Sequence, residues 1–441
     1  MNKTILKKLF LSVFVFASTF SMFAQSKILS LDEAVRMGLE HSRQLKTSAT
    51  KVEIAKSKTQ QFWNAQIPSV TLSSSYTRLS DNITPFAIRL PSGAEQTLNP
   101  QILNQFNNRI SAQQLLFTGM RASNFFKANE FLEKALAFDY EKDKIEIKNN
   151  IIAAVFNFYK LQQSRKSLDE NLKLLKNRQT DTKNFVQQGT ALENDLLKVD
   201  LAATQLETTQ QELDNGIASA RYALGILLGF ANDTDFSFDE KTLFKDHEIG
   251  NLDAYLTSGT AMRADLAAVE QRRLAAEKQL LVAKGAYLPT LAATANGYYN
   301  NPNQRVFPQE NTFKGTWDAG LALQWNLTSL YTNKSQVQEA QIGNSQAQLL
   351  KEQLTEAAKI EVATNFYAYK TAQSKIALTE KAIVQGTENQ RVTKNRYNSQ
   401  LATLTDLLEA DFLLFQNQIN AINTKSDAEA AYYKLMKAVG K

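Results

Sequence analysis

Two long tracts of this chain carry apolar residues at three- and four-residue spacing on a polar background. One stretch runs Ile151, Ile152, Val155, Phe156, Tyr159; another runs Leu196, Val199, Leu206, Leu213 among Gln, Glu and Thr. So narrow a stripe predicts helices packed in the manner of a coiled coil. The seven prolines are Pro68, Pro85, Pro91, Pro100, Pro289, Pro302 and Pro308, so none lies between residues 101 and 288 and none after 308. Proline breaks helix interiors, and the tracts it spares are rich in the better helix formers Ala, Leu, Lys, Glu and Gln. From Arg121 to about Gln187 there is no strong stop signal. At ~1.5 Å per residue, an unbroken helix over that stretch is a rod of roughly 100 Å.

The proline-containing regions show a different period. From Trp317 to Leu327, Trp317, Ala319, Leu321, Leu323, Trp325 and Leu327 fall on one face and Asp318, Gly320, Ala322, Gln324 and Asn326 on the other. That strict alternation predicts a strand. A companion strand over Leu291 to Tyr299 is expected, and two less regular ones over Val70 to Leu79 and Arg109 to Phe117. Tryptophan near each end of an apolar face is the pattern of a strand that crosses a membrane, with a ring at each interface. The alternative is a half-buried strand of a soluble sheet. An export signal, two hairpins and no β-rich region large enough for a sandwich favour the membrane.

The two halves resemble each other. Ile67-Pro68-Ser69-Val70 matches Leu288-Pro289-Thr290-Leu291, and Gln114 to Gly119 matches Gln324 to Ser329. Asn157-Phe158-Tyr159 matches Asn365-Phe366-Tyr367, and Gly189 through Leu197 matches Gln400 through Leu408. A period near 210 residues is too long for a solenoid unit and marks a duplicated structural half. The expected organisation is a signal at 1–24, a first repeat at 25–229, a linker at 230–260 and a second repeat at 261–441. Each repeat should run helix, two-stranded hairpin, long helix, tight turn, long helix. Four strands cannot close a barrel, and lipid does not tolerate an open sheet edge. A membrane reading therefore requires several copies of the chain.

Composition narrows the setting. Lys3, Lys7 and Lys8, the apolar run Leu9 to Phe20 and a cut near Ala24 are expected to form an export signal. The chain has no cysteine, which excludes disulfides and thiolate metal sites and predicts no lipid anchor at that cut. Of the formal charge of +6, three units belong to the signal lysines, and no basic run with interleaved aromatics points to nucleic acid. His41 and His247 are the only histidines, each beside an acidic neighbour, and are expected on the surface without a metal. No phosphate loop, nucleophile elbow or paired-carboxylate motif appears, so no catalytic residue and no cofactor is expected.

Several short motifs resemble those of the outer membrane efflux proteins typified by TolC. Leu29 to Ala34 is similar to that family's opening helix, and Arg263 to Leu266 followed by Tyr287-Leu288-Pro289 to its mid-chain helix and strand. Arg396-Tyr397 through Asp406 to Ala410 resembles its periplasmic tip. The resemblance implies a mainly α fold with a membrane β-barrel: a homotrimer with a twelve-stranded barrel, four strands per chain, continuous with a helical barrel in the periplasm. It implies a passive exit duct in the outer membrane of a Gram-negative bacterium. Its partners would be outer-membrane lipid, a periplasmic adaptor (membrane fusion) protein and an inner-membrane pump of RND or ABC type, the pump choosing the cargo.

The resemblance also implies site residues. Asp406 and Glu409 align with acidic residues that ring the narrowest part of the tunnel, and Asp195 and Tyr397 with the closed tip. Gly189, Thr190, Gln400 and Leu401 would form the tip turns that meet the adaptor, with Trp317 and Trp325 at the membrane interfaces. Two departures stand out. Gln400 replaces the usual second-turn Gly, and Ala402 replaces an Arg that would pair with Asp195. The alternatives for these residues are plainer: Asp406 as a helix cap, Asp195 as a helix-dipole residue and Tyr397 as a packing residue. The alternatives for the chain are a periplasmic adaptor or assembly protein without its own pore, or a purely structural coiled coil.

Overall fold

A computed structural model describes residues 27–230 and 234–441; the expected export signal at 1–24 lies outside them. The elements begin with β1 (Lys27–Leu29), α1 (Leu31–His41), α2 (Arg43–Asn64), β2 (Ser69–Arg78), β3 (Phe86–Arg89), β4 (Glu95–Asn99) and β5 (Asn104–Phe117). Next come α3 (Arg121–Gln187), α4 (Glu193–Leu228), β6 (Phe236–Phe238), α5 (Glu240–Leu243), α6 (Leu252–Met262) and α7 (Ala264–Gly285). The chain ends with β7 (Thr290–Asn300), β8 (Lys314–Gln324), α8 (Ser329–Thr332), α9 (Lys334–Asn398) and α10 (Leu404–Ala438). Helix α3 fills the stretch the missing stop signals predicted, and α9 is its counterpart in the second half at 65 residues. No helix of the described residues is long and apolar enough to cross a membrane.

The residues form two compact units, to which both halves of the duplicated sequence contribute. Of the described residues, one comprises those up to Lys46, Asp143–Arg263 and Ala358–Lys441, the other Thr47–Lys142 and Ala264–Ala357.

The first unit is helical. Among the described residues, its core includes small apolar clusters strung along the helices, as the narrow stripes predict. Leu175 of α3, Val199 and Ala203 of α4 and Leu404 of α10 pack together, with Tyr397 of α9 against them. Farther along, Leu168 and Leu172 meet Phe415 of α10. The linker is tied down by elements too short to leave a periodic signal. β6 pairs in parallel with β1, and Phe236 and Leu29 are fully buried there.

The second unit carries one four-stranded antiparallel sheet in the order β2-β5-β7-β8. The two hairpins expected from the sequence thus join through β5 and β7. The central β5 has 14 residues and starts five positions before the predicted Arg109, whereas β8 stops at Gln324 and not at Leu327. Trp325 is therefore not a strand residue. Its indole N–H donates to the Tyr287 carbonyl at 3.0 Å, which draws the chain out of the ladder. The loop between β2 and β5 holds its own small hairpin, β3 with β4. Strands β2 and β8 are both edges.

Candidate functional site: the two tip turns and the sheet faces

The two turns are alike in atomic detail. After α3, the Thr190 N–H donates to the Phe185 carbonyl at 2.9 Å, with Gly189 at φ +72°. After α9, the Leu401 N–H donates to the Arg396 carbonyl at 2.8 Å, with Gln400 at φ +61°. Both are the same left-handed helix ending, in which a reversed residue lets the next amide cap the last turn. Gln400 therefore takes the strained alternative: it keeps the turn without the glycine. Gly189, Thr190, Gln400 and Leu401 are all exposed.

Next to these turns, α10 opens with a capping box. The Asp406 N–H donates to Thr403 Oγ1 at 3.2 Å, and Asp406 Oδ2 accepts from the Thr403 N–H and hydroxyl, each at 2.8 Å. Those bonds to the backbone and hydroxyl of Thr403 hold the Asp406 carboxyl below its ordinary range. The plainer reading of Asp406 as a cap is thus what its contacts show. Glu409, three residues on, is exposed as well. The corresponding α4 start has no side-chain cap, because Leu192 stands where Thr403 does.

Asp195 has a partner although position 402 is alanine. Lys198 stands 3.4 Å from Asp195 Oδ1 and donates to Thr405 Oγ1 at 3.2 Å, so one lysine spans α4 and α10. Tyr397 is half-buried against the Leu175 cluster, and burial first, then Asp195, push its phenol up. It is a packing residue.

Two groups of residues escape a linear reading. Asp411 of α10 is buried with Arg178 of α3 at 3.5 Å, and accepts from Gln390 of α9 at 2.9 Å. The Arg178 Nη2 is buried without a hydrogen-bond partner. His247 is not on the surface as expected: its ring stacks on Tyr432 at 3.5 Å, and its Nε2 stands 2.9 Å from Glu429 Oε2. Burial pushes the Glu429 carboxyl up, while His247 and then Lys245 pull it back. The partner lies 182 positions away, so nothing near His247 in sequence announces it. His41 is exposed. Among the described residues no cluster of His, Cys, Asp and Glu is placed to hold a metal.

The sheet has two chemically distinct faces. On one, the cross-strand rows are Val70, Ala112, Ala295, Ala319 and Leu72, Ile110, Gly297, Trp317. Leu72 is 78% exposed, Trp317 79% and Leu321 71%, so this face is apolar and uncovered in the chain. Near the loop end it carries an aromatic group: Tyr76 to Phe106 at 4.9 Å, Phe106 to Phe313 at 5.6 Å and Phe313 to Tyr299 at 5.1 Å. These rings lie beyond Trp317 toward the loops; Tyr299 and Phe313 come from opposite ends of a loop, and the strand period puts them on the face of Trp317. On the other face, the row Thr71, Ser111, Asn296, Asp318 runs across all four strands. Asn296 accepts from Arg109 at 2.7 Å and donates to Asp318 at 2.6 Å.

Comparison with known proteins agrees with this geometry. Residues 259–441 match the family model described as outer membrane efflux protein. Toxin and drug export protein A of Aggregatibacter actinomycetemcomitans is 24% identical over 329 residues, 72% of this chain and 69% of that protein. Among solved structures, CusC superposes with a TM-score of 0.80 at 15% identity, covering 96% of each chain. VceC of Vibrio cholerae does so at 0.76 and 18% identity, covering 93% of this chain and 96% of its own. The chain thus has the fold of solved outer-membrane channels over nearly its whole length, and its residues 259–441 are similar to the outer membrane efflux protein family.

Proposed function

We propose that this chain is one subunit of an outer-membrane exit duct that works with an inner-membrane pump and a periplasmic adaptor. One observation carries the reading. A four-stranded sheet exposes a continuous apolar face and leaves both edge strands, β2 and β8, unpaired. In water that face is a large association surface, and in lipid the open edges are prohibitive. Joining β8 of one copy to β2 of the next resolves both. Three copies give the twelve-stranded barrel of the TolC-like resemblance, with strands of 10 to 14 residues long enough to span when tilted. The polar face then lines the lumen, and the aromatic group joins Trp317 and Trp325 near the interfaces.

At the tip, Lys198 substitutes for the missing arginine, tying the α4 turn to the α10 turn through Asp195 and Thr405. An exposed tie of this kind is weak, which suits a closure that partners must open. The exposed Leu192, Leu197, Leu201 and Leu401 at the turns offer the adaptor an apolar landing. Asp406 caps its helix and, with Glu409, presents carboxylates to the constriction; close carboxylates attract cations. Cell fractionation tests the whole reading. A heat-modifiable oligomer in the outer membrane is expected, and release as a soluble periplasmic protein would refute it.

A further inference from the structure

The loop between β7 and β8 does not rise away from the strand ends. Its Asn303 is only 2% exposed, and the side-chain amide donates to the Lys314 carbonyl at 2.8 Å and to Thr316 Oγ1 at 3.2 Å. The amide oxygen of Asn303 accepts the Arg305 N–H at 3.0 Å, which sets the direction in which Arg305 leaves the backbone. The Arg305 guanidinium then lies 4.3 Å over the Tyr298 ring and pairs with Asp318 at 2.6 Å. Asp318 lies four residues into β8, about 13 Å along the strand from its start. To reach it, the loop must be folded over the polar face. Arg109 approaches the same Tyr298 ring at 5.7 Å and binds the same Asn296 that binds Asp318. Arg305, Tyr298, Arg109, Asn296 and Asp318 are thus one connected group spanning the loop and the three neighbouring strands β5, β7 and β8.

We propose that residues 301–313 form a pinned collar inside the barrel, narrowing its outer end and giving it a positive charge that favours anionic and neutral solutes over bulky cations. The proposal rests on the reading that the polar face lines a lumen. Glu310 of the loop is paired with Lys314 at 3.1 Å, so Arg305 and Arg109 against Asp318 leave each chain's cluster with one net positive charge, repeated in every copy of a closed barrel. Charges confined by low-dielectric walls act on passing ions far more strongly than the same charges on an open surface. A stacked and ion-paired arginine is also held in place, whereas a free loop would swing clear of the passage. The collar carries the opposite charge to the acidic tip, so the two ends of the duct discriminate differently.

The native chain has no cysteine, so a single one reports cleanly. Thr294→Cys places it on the polar face, one row beyond Asn296 and Asp318. Intact cells carrying the full assembled chain are treated from outside with three impermeant thiol reagents: a small anionic and a small cationic methanethiosulfonate, and a maleimide on a long polyethylene glycol. The expected result is labelling several-fold faster by the anionic reagent than by the cationic one, and none by the polymer. Arg305→Gln should bring the two small reagents to similar rates and admit the polymer. Asp318→Asn, which removes the ion pair that holds Arg305 over the polar face but keeps both guanidinium groups, should admit the polymer while the anion preference persists or grows. Unchanged rates and unchanged polymer exclusion in both variants would overturn the collar. Failure of the duct reading looks different: Thr294→Cys stays dark to every reagent even with residues 304–311 replaced by a short Gly-Ser turn, while Leu321→Cys on the apolar face labels freely. Heat-modifiable mobility confirms assembly of each variant beforehand.

Discussion

Gly119 and Gly285 face each other so closely that a Cβ built on either would lie 2.4 Å from the other's carbonyl oxygen. Gly119 closes β5 and Gly285 ends α7, so the contact fastens a strand end to a helix end by bare backbone. Gly119 also sits at φ +66°. Gly285→Ala should cost about 1–3 kcal/mol through forced displacement of backbone. Gly119→Ala should cost a further ~1–2 kcal/mol for the left-handed conformation. Denaturant unfolding of the purified chain checks the order: Gly119→Ala is the more severe. Gly189→Ala, at φ +72° with open space around it, should show the conformational cost alone.

Gln400 occupies a left-handed position at an exposed turn. Replacing it by glycine removes a strain of ~1–2 kcal/mol, offset by the ~0.5–1 kcal/mol of extra freedom that glycine has in the unfolded chain. Gln400→Gly should therefore be neutral or stabilise by up to about 1 kcal/mol. A clear loss of thermal stability would show that the glutamine side chain makes a contact at the tip in the assembled protein.

Arg178 and Asp411 form a buried pair whose side chains are 9% and 7% exposed. Removing either partner strands a charge, so Arg178→Ala and Asp411→Ala should each destabilise by about 3 kcal/mol. The double variant Arg178→Met with Asp411→Leu should recover most of that loss, since apolar groups of similar volume need no partner. A double-mutant cycle on the urea midpoint measures the coupling.

Alkaline pH should weaken the helical unit through Tyr433. Burial first, then the Glu429, Asp32 and Tyr432 charges, push its phenol up to about 12, against an unfolded value near 10. The folded chain thus holds that proton more tightly than the unfolded one. This contribution is complete below pH 10 and is lost as pH rises through about 12. Tyr433→Phe should flatten the fall in melting temperature across that window, and an unchanged slope would assign it to other groups.

Lys198 offers a test of the tip. With Lys198→Ala, single-channel recording should show a higher resting conductance than the native protein, because the tie from Asp195 to Thr405 is gone. Lys198→Arg should retain the low conductance. Equal conductance in all three would remove Lys198 from the closure and leave apolar packing around Leu175 and Leu404 to hold it.

Much of this architecture is legible without coordinates, because its signals are local. Helix α3 ends where Gly189 permits a left-handed turn, and Thr403 and Asp406 announce the start of α10 three residues apart. The alternation from Trp317 to Gln324 specifies which side chains share a face, since a strand has no other way to place them. The repeat offsets near 210 positions specify that both halves build the same parts. Four strands with an apolar face require further copies of the chain once that face is read as meeting lipid, whatever their number.

What only the tertiary structure decided are the meetings of residues far apart in sequence. His247 reads as a lone surface histidine until α10 brings Glu429 and Tyr432 to it. Arg178 and Asp411, Lys198 and Thr405, and Arg305 and Asp318 carry no period and no motif that would pair them. Their energies come from burial, charge and geometry created by the fold. A sequence records propensities along one dimension, whereas an ion pair or an aromatic girdle exists only where two distant segments are held at contact distance.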